Sequence, residues 1–125
     1  MWVFTKEGFF SAVFDKYCSR DELMIRARCK EDLNRLSKKL HGYTSDSNIL
    51  EITHLHADYR YRMKVDKHIW ADYLLNYALN IDYPNVKENI IPEGDKLRQD
   101  AYYTVWMTMY RWQSVLEGAG SEKKP

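Results

Sequence analysis

Between Asp58 and Val65 the bulky side chains of Tyr59, Tyr61, Met63 and Val65 alternate strictly with the cations Arg60, Arg62 and Lys64. A period of two predicts a strand with one buried face and one wet face. Two further apolar runs, Met1 to Thr5 and Phe9 to Phe14, flank the turn signal Lys6-Glu7-Gly8 and predict a hairpin. Asp15 to Glu22 is polar apart from Tyr17 and Cys18. It leads into a third strand, Leu23 to Arg28, with Leu23, Ile25 and Ala27 on one face and Met24, Arg26 and Arg28 on the other. Ile49 to His56 is patterned as extended chain, turning through Ala57-Asp58 into the strand at Tyr59.

The period shifts to that of a helix in three places. Glu31 to Leu40 opens on acids, closes on bases and repeats Leu33, Leu36 and Leu40, with Gly42 as the expected stop and Tyr43 to Asn48 as a loop. Asp66 is a suitable N-cap for a helix over about 67–81, whose stripe is Ile69, Trp70, Tyr73, Leu74, Tyr77 and Ile81. After Tyr83-Pro84-Asn85, one or two helical turns are expected within Val86 to Ile91, and Pro92-Glu93-Gly94 breaks the pattern again. The longest helix, about 95–117, carries an inner stripe of Leu97, Ala101, Val105, Met109, Trp112 and Leu116, widened by Tyr102, Trp106 and Tyr110. Gly118-Ala119-Gly120 should end it.

The order strand, strand, strand, helix, strand, strand, then helices predicts an α+β fold. Its sheet should be largely antiparallel, of four to five strands, and covered on one face by helices. Leu23 to Val65 is compatible with a split βαβ unit, which would make the fold ferredoxin-like. One domain is expected over residues 1–118, with residues 119–125 a disordered tail.

Composition narrows the functional classes. The chain has 125 residues, 45% of them hydrophobic and 30% charged, enough for an ordinary core without metals or disulfides. Nineteen basic against eighteen acidic residues leave a net charge of +1, so nucleic acid or anionic lipid would need a local patch. No run approaches the roughly 20 apolar residues of a membrane span, and the N-terminus lacks the pattern of an export signal. The expected location is therefore cytoplasmic, with Cys18 and Cys29 as free thiols.

The opening Met1-Trp2-Val3-Phe4-Thr5, Gly8 to Val13, Asp58-Tyr59-Arg60-Tyr61-Arg62, Ile81-Asp82-Tyr83 with Asn85 and Lys87, and the late Arg98 and Tyr102 to Trp106 together form a pattern. It resembles a group of small uncharacterised bacterial and phage proteins, along nearly the whole chain. The resemblance implies a single intracellular domain of microbial or phage type and assigns no residue a role.

Three constellations compete for function. Arg26, Arg28, Arg60, Arg62 and Lys64 would share a sheet face, with Trp2 or Phe10 among them, and such a face can bind phosphates and stack bases. The plainer account makes them solvated outer positions paired with Glu51 or other acids. His54 and His56, two apart on an expected strand, would with Asp58 supply metal ligands or an acid-base pair for a small phosphoesterase. Against this stands the lack of any second such motif; His41 and His68 are at no diagnostic spacing. The third is aromatic: Trp70, Tyr73, Tyr77, Tyr102, Tyr103, Trp106, Tyr110 and Trp112 exceed what one small core needs, and Tyr and Trp are enriched at interface centres. Neither cysteine has the surroundings of a nucleophile. The expectation is a non-enzymatic binding module, without cofactors, that engages a protein partner and forms homodimers. In a phage setting it would act as an inhibitor of a host system. Nucleic-acid or nucleotide binding is the alternative.

Overall fold

The computed structural model describes residues 1–40 and 48–122. The chain divides into two compact units, Met1–Asp82 and Tyr83–Pro125.

In the first unit the strands are β1 (Trp2–Thr5), β2 (Gly8–Val13), β3 (Glu22–Ala27), β4 (Leu50–Glu51) and β5 (Tyr61–Asp66). Helix α1 (Lys30–Lys39) lies between β3 and β4 in the chain, and α2 (Lys67–Leu79) follows β5. The sheet has the order β1-β2-β3-β5-β4, and every neighbouring pair is antiparallel. This is the anticipated α+β architecture. The split βαβ unit is formed: β3 and β4, with α1 between them in the chain, run parallel, and β5 is inserted between them, antiparallel to both.

Alternation sorts the strands into two faces. Val3 faces Phe10, Ala12 faces Ile25, Leu23 faces Val65 and Ile25 faces Met63 across the ladders. These residues meet Leu33, Leu36 and Leu40, with Trp70 and Tyr73 of α2, in one core. Full burial of such a side chain contributes about 1.5–3 kcal/mol.

The β1–β2 turn is held from beneath. Buried Asp32 of α1 accepts from the Phe9 amide at 3.1 Å and pairs with Arg35, whose Nε donates to the Glu7 carbonyl at 2.9 Å. Gly8 adopts φ +150°, and a Cβ there would sit 2.3 Å from the Asp32 Cγ, so the latch requires glycine. From α2 the Tyr73 hydroxyl donates to Glu7 Oε1 at 2.6 Å and lies 2.8 Å from Thr5 Oγ1. Burial first, then the hydrogen bond to Glu7, raises this phenol well above its ordinary pKa.

Helix α2 opens as expected, with the Asp66 side chain accepting from the His68 amide at 2.8 Å. It ends at Leu79, so Ile81 of the expected stripe falls outside the helix and is 52% exposed. Two strand expectations need correction. The extended stretch expected over Ile49 to His56 pairs only at Leu50–Glu51. β5 begins at Tyr61 rather than Tyr59, because residues 58–60 bend. Tyr59 is buried, but against the opposite sheet face from Tyr61, Met63 and Val65. Gly42 and nearly all of loop 43–48 lie outside the described residues.

The second unit contains α3 (Val86–Asn89) and α4 (Lys96–Glu122). Gly94, with φ +83°, turns the chain between them, and Asp95 receives the first turn of α4 by accepting from the Arg98 amide at 3.1 Å. Arg98 then bridges, donating from Nε to Asp95 at 3.0 Å and from Nη1 to the Tyr102 hydroxyl at 3.0 Å. Among the described residues of this unit, Ile90 and Tyr102 are the buried side chains. The expected inner stripe of α4 is not buried: Leu97, Val105, Met109, Trp112 and Leu116 are all exposed. Nor does Gly118-Ala119-Gly120 stop the helix, which continues to Glu122. A glycine costs a helix interior about 1 kcal/mol relative to alanine, which a long helix can absorb. The expected tail beyond Glu122 lies outside the described residues. Among those residues no helix is long and apolar enough to cross a membrane.

Candidate functional site

The sheet face turned away from α1 and α2 gathers most of the expected cations. Trp2 faces Ser11, Ser11 faces Arg26 and Arg26 faces Arg62, a single transverse row across four strands. Lys64 lies one step along, opposite Met24. Arg26 donates from Nη2 to Ser11 Oγ at 2.7 Å. Its guanidinium carbon is 4.5 Å from the Tyr59 ring centroid, and that of Arg28 is 4.3 Å away. Tyr59 is thereby buried against the sheet, 3% exposed, by two cation–π contacts.

Several of these cations tie the segment before β5 to the sheet. Arg28 donates to the Asp58 carbonyl. Arg60 donates to the carbonyls of Ile52 at 2.8 Å and His54 at 3.2 Å, and so leaves the row it was expected to join. Arg62 donates to the Tyr59 carbonyl at 3.3 Å and lies 3.4 Å from Asp58 Oδ1. Lys64 and Glu22 attract one another at the far end of the face, where a hydrogen bond from Ser19 and this attraction lower the Glu22 carboxyl. The surface is thus partly strut and partly open.

Aromatic rings complete it. Phe4 and Phe9 stack with centroids 4.6 Å apart, Trp2 meets Phe9 edge-on at 6.4 Å, and Phe9 lies 6.5 Å from Tyr59. Phe10, considered from the sequence, belongs to the core instead. The hairpin register makes the difference, since Trp2 pairs with Ser11 and so shares the parity of Phe9. That parity was the signal for Phe9 and Phe4, and it becomes readable only once the pairing is known.

His54 and His56 do not stand on a strand. Both are exposed in the turn before Ala57, where the His56 amide donates to His54 Nδ1 at 3.2 Å and the rings are 6.0 Å apart. Asp58 is engaged with the Tyr59 amide at 2.9 Å and with Arg62. Among the described residues no three His, Cys, Asp or Glu side chains are grouped to hold a metal ion. The Cys18 thiol is pushed up, chiefly by burial, and lies 3.4 Å from Asp15 Oδ1. Cys29 occupies the N-cap position of α1 without capping it through its side chain.

The aromatic set divides between the units. Trp70, Tyr73 and Tyr77 stack into or against the core at 5.5 and 6.0 Å. On α4, Tyr103, Trp106 and Tyr110 form an exposed ladder at 5.8 and 5.4 Å, with Lys87 Nζ 4.8 Å from the Trp106 ring centroid. With Leu97, Val105, Met109, Trp112, Val115 and Leu116 they make nine large exposed apolar side chains on one helix.

Comparison with protein-family models, curated proteins and solved structures finds no match to this chain.

Proposed function

We propose that the protein is a non-enzymatic binding module whose macromolecular partner docks on α4, and that this partner is a second copy of the chain. The observation that carries it is the exposed stripe of Val105, Met109, Trp112, Val115 and Leu116. Proteins that stay monomeric rarely expose apolar patches beyond a few hundred Å². With 3.6 residues per turn these five project within one sector of about 120°, and between Ala101 and Leu116 no charged side chain enters that sector.

Self-pairing follows from that neutrality. Two copies can lay the stripe against itself without juxtaposing like charges, and from Val105 to Leu116 the stripe runs over about 17 Å of helix. The five side chains of the stripe are 45% to 67% exposed, so each has surface left for a partner to cover.

Sedimentation equilibrium of the full chain tests this. A concentration-dependent dimer is expected, converted to monomer by Met109→Lys with unchanged helical circular dichroism. A wild-type chain that remains monomeric at high micromolar concentration would refute self-association.

A further inference from the structure

We infer that the open sheet face of the first unit binds single-stranded nucleic acid, with bases stacked at Trp2 and Phe9 and phosphates held by Arg26, Arg28 and Arg62. The surface is independent of α4, and three observations carry it.

The first is like-charge crowding. Arg26 and Arg62 are direct cross-strand partners, a placement that repels. Arg28 joins Arg26 within 4.5 Å of the Tyr59 ring centroid. The acid within reach is Asp58, 3.4 Å from Arg62 and itself 66% exposed. The other two acids of this face, Glu22 and Asp66, stand opposite each other at its far end. They are also engaged, Glu22 with the Ser19 amide at 2.9 Å and Asp66 with the His68 amide. The face is therefore polarised, and an anion at its cationic end relieves repulsion that the protein leaves in place.

The second is a row of rings beside those cations. Trp2 is 73% exposed at the edge of the sheet, although a tryptophan gains much from burial. It is braced edge-on by Phe9, which Phe4 stacks from the other side. A base laid on Trp2 would continue this array. Only small Ser11 separates Trp2 from Arg26 along the row, so the step from ring to cation crosses two strand spacings, about 10 Å.

The third is prior fixation of the guanidiniums. Their bonds to Ser11, Asp58 and Tyr59 orient them before any ligand arrives, which lowers the entropy lost on binding. A guanidinium has five donors, so the single bond of Arg28 to the Asp58 carbonyl leaves capacity for a phosphate. Rings for bases and fixed cations for phosphates on an open antiparallel sheet are the physical requirements of single-strand binding. A duplex, with its bases already stacked, could use only the cations.

Fluorescence anisotropy with labelled oligouridine and oligothymidine, titrated into the full chain at several salt concentrations, tests the inference. Binding that weakens linearly with log salt is expected, together with quenching of tryptophan emission. Trp2→Ala should lower affinity about 5- to 150-fold, since a stacked base is worth about 1–3 kcal/mol. Trp2→Phe should restore most of it. Arg28→Ala should lower both affinity and the salt slope, by about one phosphate contact. Trp2 stands exposed at the sheet edge, so Trp2→Ala should keep the wild-type melting temperature, whereas Arg28→Ala also loses its bond to Asp58 and is compared at a temperature where circular dichroism shows it folded. No binding by the wild-type chain, affinity unmoved by Trp2→Ala and Arg28→Ala, or equal affinity for duplex or for free uridine monophosphate would each overturn it.

Discussion

Met63 and Met109 both sit on apolar stripes of regular period, yet one is fully buried and the other 52% exposed. In the first unit two helices and five strands converge, and each stripe finds another to pack on. In the second unit, among the described residues, a 27-residue helix has only a four-residue helix and a short turn as companions within the unit, and the buried side chains are Ile90 and Tyr102. Periodicity reports which face of an element wants to leave water. It does not report whether the partner belongs to the same unit, and that difference separates a core from a binding surface.

The largest effect expected on stability comes from the first unit. Met63→Ala removes a side chain enclosed by sheet, α1 and α2, and should cost about 2–5 kcal/mol. Hydrogen exchange of the β3 and β5 amides measures this directly. A loss under 1 kcal/mol would mean that the sheet and its helices do not share one cooperative core.

A smaller and pH-dependent effect is expected at Tyr73, which joins α2 to the β1–β2 turn. Its folded pKa is raised, by burial and by Glu7. The unfolded phenol releases its proton near pH 10 while the folded one retains it, so the stabilisation is complete below about pH 10 and declines above it. Tyr73→Phe should cost about 1–3 kcal/mol at neutral pH, from the lost hydrogen bonds. The gap between variant and wild type should narrow in denaturant titrations above about pH 10. A gap that stays constant from neutral to strongly alkaline pH would show that the hydroxyl is not held in its protonated form.

Much of the first unit was legible because its signals are local. The hairpin at Gly8, the strand at Leu23, α1 with its terminal charges and the Asp66 cap each rest on a few neighbouring residues. Tyr59 was not legible. Its parity matches Tyr61, Met63 and Val65, and only the bend at residues 58–60 carries it to the other face, where two arginines cover it. An amphipathic ring can be buried on either side of a sheet, so composition could not decide. The cationic face was half legible for the same reason. Arg26, Arg62 and Lys64 follow strand parity, whereas Arg60 precedes the strand and bonds loop carbonyls instead. In α4 the glycines at 118 and 120 imitate a helix stop, but the helix runs past them.

The smallest effect on unit stability is expected on α4, where it sharpens the contrast with Met63. Val105 is 45% exposed and on the neutral stripe, so Val105→Ser removes little that a single copy buries. Exposed substitutions of this kind usually fall within about 0.5 kcal/mol. If a second copy covers the stripe, the folded assembly gains stability by mass action, and the wild-type melting temperature rises with protein concentration. The variant should melt with the wild type in dilute solution and fall progressively behind it as concentration increases. Equal melting at every concentration would place Val105 outside the contact. A large loss already present in dilute solution would show instead that the stripe is a core position of the second unit, and the distinction between the two methionines would then collapse.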